Sequence, residues 1–85
     1  QQDDIDVVAA NPRHKELLLG ECKWRNSFDE SKAIEALERR APLVKGFSRR
    51  SYCLFTKNVP SEMTRKKARA RDDLTLVSTN EMFEM

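Results

Sequence analysis

Residues 15–24 (Lys-Glu-Leu-Leu-Leu-Gly-Glu-Cys-Lys-Trp) constrain the fold more than any other stretch of the chain. Leu17-Leu18-Leu19 shows almost no polar alternation, the pattern of a strand covered on both faces. Yet the run closes on Glu21-Cys22-Lys23. Side chains at i and i+2 of a strand share a face, so Glu21 and Lys23 project together while Cys22 and Trp24 project to the other side. Unpaired charge at the end of an apolar, buried strand is costly. Glu21 and Lys23 therefore need a partner or a task.

The preceding segment supplies a candidate. Residues 5–10 (Ile-Asp-Val-Val-Ala-Ala) are rich in β-branched side chains and read as a strand, and Asn11-Pro12-Arg13-His14 is turn chemistry. The two strands are expected to form an antiparallel hairpin. Asp6 shares its face with Asp4, with Ile5, Val7 and Ala9 opposite, so Asp6 and the Glu-x-Lys pair converge on one point. Downstream, Ser27 or Asp29 offers an N-cap for an amphipathic helix over residues 30–40. Ala33, Ile34, Leu37 and Ala41 form its apolar stripe and Pro42 ends it. Residues 51–56 read as a third strand, and Pro60-Ser61-Glu62 opens a basic helix running to about Arg71. Residues 74–78 read as a fourth strand, and Asn80 caps a short helix through Phe83. The order β-β-α-β-α-β-α indicates a single α/β domain over residues 1–85. An opening of Gln-Gln-Asp-Asp with no starting Met suggests a piece of a longer polypeptide.

Composition narrows the function classes. With 85 residues, 39% hydrophobic and 35% charged, the chain suits one small domain with a thin stability margin. No apolar run approaches the roughly 20 residues of a membrane helix, and no partner membrane is expected. The net charge of +2 hides a sorting along the chain: residues 1–30 are net acidic, 31–71 strongly basic and 72–85 acidic. An acidic pocket beside a basic stretch suits a site that holds a cation and faces a polyanion, although exposed helices are commonly rich in Lys and Arg for no such reason. Cys22 and Cys53 belong to no metal-ligand pattern, and the lone His14 lies in a turn. They read as free buried thiols of a reducing compartment, pointing to the cytoplasm.

Two close carboxylates repel unless a cation lies between them. Mg²⁺ (or Mn²⁺) answers this, since it takes oxygen ligands and is typically held by one or two carboxylates plus a phosphate. Lys23 beside it would orient the attacking water and stabilise charge on a phosphate. The plainer reading of Glu-x-Lys is a solvated ion pair worth about 0–1 kcal/mol.

The run Asp4-Ile5-Asp6-Val7-Val8-Ala9, a turn, then Gly20-Glu21-Cys22-Lys23-Trp24 resembles the PD-(D/E)xK signature of restriction-endonuclease-like nucleases. It is closest to the carboxy-terminal, DUF234-like domain of certain archaeal and bacterial AAA-type ATPases, and is similar to Mrr-type endonucleases. Residues 52–57 and 74–83 resemble that domain's ending. The resemblance implies a mixed sheet flanked by helices, with Asp6, Glu21 and the Cys22 backbone carbonyl as metal ligands and Lys23 as the catalytic lysine. It also implies DNA as substrate and the ATPase domain of the parent chain as partner. The usual core has a further helix and strand before the first motif Asp, and neither is present. A sheet short of one strand exposes an edge and is expected to self-associate. Arg65, Lys66, Lys67, Arg69 and Arg71 are candidate phosphate contacts, with Arg49 and Arg50 beside them. Trp24 reads as a packing residue, and Lys32, Glu35 and Arg39 as candidate flanks of the site. A non-catalytic interaction or dimerisation domain is the competing reading.

Overall fold

The computed structural model describes residues 4–79, with side chains from Val7 onward. Four strands and two helices alternate as β1 (Asp4–Asn11), β2 (Glu16–Lys23), α1 (Glu30–Arg40), a 3₁₀ turn (Ala41–Leu43), β3 (Arg49–Thr56), α2 (Glu62–Arg69) and β4 (Leu74–Ser78). The strands form one mixed sheet in chain order, β1-β2-β3-β4. β1 and β2 are antiparallel, while β2, β3 and β4 are parallel. The expected order is present up to β4; the expected helix at residues 80–83 lies outside the described residues. Among the described residues no helix is long and apolar enough to cross a membrane.

Local chemistry explains the boundaries. The β1–β2 turn is closed by the His14 backbone N–H donating to Asn11 Oδ1 at 3.4 Å. Lys15 adopts φ 56°, so it ends the turn rather than opening the strand as its place in the apolar run suggested. Asp29, not Ser27, caps α1, accepting from the Lys32 backbone N–H at 3.0 Å. Pro42 falls in the first turn of the 3₁₀ segment, where a backbone N–H would have no partner within the turn. β3 begins two residues earlier than expected, because the Arg49 backbone N–H donates to the Lys15 carbonyl at 2.9 Å and ties its start to the hairpin.

The core lies between the sheet and one helical layer. Leu17, Leu19, Tyr52, Leu54 and Leu74 pack against Ala33, Ile34, Leu37 and Ala41, with Ala68 of α2 joining from the same side. Both helices therefore cover a single face. The physical reason is topological: β2-α1-β3 and β3-α2-β4 step across the sheet in the same direction, and crossovers of one hand then deliver their helices to one side. That corrects the expectation of a strand covered on both faces. Leu18 and Phe55, on the other face, are each 37% exposed, and Trp24, expected to pack, is also exposed. Gly20 permits close approach of the central strands: a Cβ there would lie 3.2 Å from the Cys53 carbonyl oxygen and 3.4 Å from Val7 Cβ.

The two helices are tied at their starts. The Glu30 carboxylate, from the first turn of α1, accepts from the Ser61 hydroxyl at 2.9 Å and from its backbone N–H at 3.2 Å, and it also engages the Thr64 hydroxyl. Ser61 is itself the N-cap of α2, where an anion is favoured by the helix dipole.

Candidate functional site

The site is built on the last third of β2. Residues 17, 19, 21 and 23 share the helix-covered face, and the burial pattern follows them: Leu17, Leu19 and Glu21 are buried. Glu21 is 7% exposed and is the sole buried charged residue among those whose side chains are described. Its carboxylate stands between two cations. Lys23 Nζ lies 3.3 Å from Oε2, and an Arg40 guanidinium nitrogen donates to Oε1 at 3.4 Å. Both carboxylate oxygens are thus engaged, which offsets part of the large desolvation cost of the charge.

In the β1–β2 register Asp6 is the direct partner of Glu21, and Asp4 of Lys23. Directly opposed positions of an antiparallel pair lie on one face. The expected proximity of positions 6 and 21 is therefore present in the backbone, while the side chains of Asp4 and Asp6 lie outside the described residues. Among the described residues no group of three or more His, Cys, Asp or Glu side chains forms a metal cluster. The donor chemistry of Glu21 and the Cys22 carbonyl is all oxygen, which suits a hard cation. The Lys23 and Arg40 cations already stand at the two oxygens of that carboxylate.

Arg40 was not legible as a site residue. Lys32, Glu35 and Arg39 were the expected flanks, and all three are exposed on α1. Arg40 closes the helix, and its neighbours line a groove beside β1: Val7, Val8, Leu19, Gly20, Leu37, Leu43 and Val44.

The basic segment after Pro60 divides in two. Arg65 and Arg69 both pair with Glu62, at 3.0 and 2.8 Å, and hold its carboxyl below the usual range. Arg71 meets Glu38 at 2.8 Å and Asp73 through two bonds at 2.8 and 3.0 Å, and it lies over the Tyr52 ring at 5.8 Å. Lys66 and Lys67 are exposed. The two cysteines are both free thiols, as expected; Cys53 is buried and Cys22 half-buried, and burial pushes the Cys53 thiol up from its ordinary value.

The fold and site together define a small two-layer α/β domain with, among the described side chains, one charged group buried at a strand end. A family model described as archaeal and bacterial proteins of unknown function, DUF234, matches residues 1–34, a span that holds β1, β2 and the start of α1. No curated protein and no solved structure matches the chain.

Proposed function

We propose that the chain is the metal-binding part of a PD-(D/E)xK nuclease-like domain that acts on phosphodiester bonds of DNA and is attached to an AAA-type ATPase. The observation that carries this reading is the buried Glu21, engaged by two cations and set opposite Asp6 in the register. A carboxylate kept away from water is retained at a cost, and functional sites are where such costs concentrate. The Asp6 and Glu21 carboxylates and the Cys22 carbonyl would hold Mg²⁺ or Mn²⁺, which when bound polarises phosphate oxygens and activates water. Lys23 holds an ammonium 3.3 Å from the Glu21 carboxylate, where it would stabilise the charge gathering on a phosphate under attack. Contact with the DNA backbone falls chiefly to Lys66 and Lys67, since Arg65, Arg69 and Arg71 already serve carboxylates of the chain itself.

A second reading, an interaction or dimerisation domain of the same ATPase, is favoured by the bare sheet face on which Val7, Leu18 and Phe55 are exposed. Incubating the full-length polypeptide with supercoiled and duplex DNA, with Mg²⁺, Mn²⁺ or EDTA, separates the two. Cleavage that needs the metal and is lost in Lys23→Ala while DNA binding persists is the expected result. Cleavage that survives Lys23→Ala removes the role given to this lysine. Absence of cleavage with either ion favours the interaction domain, for which light scattering should then report self-association.

A further inference from the structure

We propose that the outer edge of β4, with the groove that α2 forms beside it, takes an extended peptide strand carrying apolar and acidic side chains. No residue of the Glu21 site takes part. Among the described residues β4 is the last strand of the sheet. The Tyr52 backbone N–H donates to the Asp73 carbonyl at 2.7 Å, and Tyr52 is the register partner of Leu74. A parallel ladder started this way engages alternate residues, so Asp73, Thr75 and Val77 turn their backbone groups to β3 while Leu74 and Leu76 turn theirs outward. An outward row of N–H and C=O groups is a template for one more strand.

The same edge carries a groove of about 310 Å³ between β4 and α2. Pro60, Ala68, Leu74 and Leu76 form its apolar wall, and Arg65 and Arg69 its charged one. A strand added to β4 would send every second side chain to this face, where the wall meets an apolar group and the arginines an acid. Both guanidiniums bond the single Glu62 carboxylate, at 3.0 and 2.8 Å, leaving two cations against one anion. Arg65 Nε is also buried with no hydrogen-bond partner, and such a donor costs stability until an acceptor meets it. A carboxylate in the groove supplies both the charge and the acceptor. Charge argues against a second copy of the same edge. α2 carries Arg65, Lys66, Lys67 and Arg69 against Glu62 alone, and antiparallel pairing of two β4 edges would set two such helices side by side. Nucleic acid is disfavoured by the apolar wall and by the outward carbonyls, which repel phosphate oxygens. An acidic strand suits every part of the surface: main-chain bonds give affinity, and pockets for alternate side chains give specificity.

The test titrates the full-length polypeptide into fluorescein-labelled Thr-Leu-Thr-Glu-Thr-Leu-Thr, whose leucines and glutamate share one face of a strand, and follows anisotropy. Companion peptides carry Gln in place of Glu, or N-methyl groups on alternate residues in either of the two frames. The Gln peptide should bind about tenfold more weakly, the factor for a charge-assisted bond worth roughly 1.4 kcal/mol. Methylation in one frame should abolish binding and in the other leave it, and the bound peptide should protect the Leu74 and Leu76 amides from hydrogen exchange. Arg65→Gln should erase the difference between the Glu and Gln peptides. Equal binding of those two peptides by the wild type, or equal effects of the two methylation frames, overturns the inference without requiring any protein variant to fold. So does absence of binding at millimolar peptide. In that case, protection of Leu74 and Leu76 by chain concentration alone assigns the edge to a second copy, and weaker duplex DNA binding by Arg65→Gln assigns the groove to nucleic acid.

Discussion

Replacing Arg71 with Met removes a guanidinium that joins three parts of the fold. It reaches Glu38 on α1 and Asp73 in the loop before β4, and it lies over the ring of Tyr52 on β3. The Arg71 side chain is 27% exposed and its acidic partners somewhat more. Each ion pair is therefore discounted to the exposed range of about 0–1 kcal/mol, with the paired bonds to Asp73 at its upper end. The ring contact adds about 0.5–1 kcal/mol. Methionine keeps much of the apolar stem, so the expected loss is about 2 kcal/mol, which in a domain this small lowers the thermal midpoint by about 10 °C. The pH dependence has a definite sign. Arg71 hydrogen-bonds Asp73 and holds its carboxyl below the ordinary value of 3.8. A carboxyl lowered on folding contributes stability above its unfolded pKa and loses it as pH falls through the folded pKa. The gap between wild type and Arg71→Met should thus be full at neutral pH and narrow below about pH 4. Urea unfolding followed by circular dichroism at pH 7 and pH 3 measures both. A variant within about 0.3 kcal/mol of wild type at pH 7 would show that the cluster is solvated and that the reasoning is wrong.

Leu54→Ala empties a fully buried position on the central strand β3; it should cost about 2–5 kcal/mol and leave the chain largely unfolded by circular dichroism at 37 °C. Gly20→Val forces a branched side chain against the Cys53 carbonyl and should be far more destabilising than Gly20→Ala, measured as the difference in urea midpoint. Lys66→Glu with Lys67→Glu should weaken duplex DNA binding and flatten its salt dependence by roughly one unit for each phosphate no longer neutralised, seen by fluorescence anisotropy. Arg69→Gln should change that slope much less, because its guanidinium already faces Glu62.

Much of the frame was readable from residue order, because its signals are local. The hairpin followed from β-branched residues around Asn11-Pro12, α1 from its apolar stripe at residues 33, 34, 37 and 41, and β4 from residues 74–78. What escaped were consequences of how the pieces meet. The run at Leu17-Leu18-Leu19 reads as doubly covered, but which face receives a helix depends on crossover direction, which no single segment encodes. Arg40 was missed for a related reason. On the helix alone it is one more basic residue in the last turn, indistinguishable from Arg39; only the packing of α1 on the sheet brings it to Glu21. The five basic residues at 65–71 looked equivalent for the same cause, since Glu38, one of the acids that engage them, lies more than thirty positions away in the chain.

On β2, positions 17 and 19 fill the core and positions 21 and 23 carry the charge, all on one stripe of alternate residues. Core and chemistry are therefore written in the same reading frame. A one-residue insertion or deletion between the β1–β2 turn and Leu17 turns every later side chain of the strand to the opposite face, exposing leucine and stranding Glu21 on the bare side in a single event. Only changes in steps of two preserve the arrangement. The length of this strand is accordingly under tighter constraint than the identity of most residues in it, and lineages that kept the fold while altering the strand should differ by even numbers of residues there.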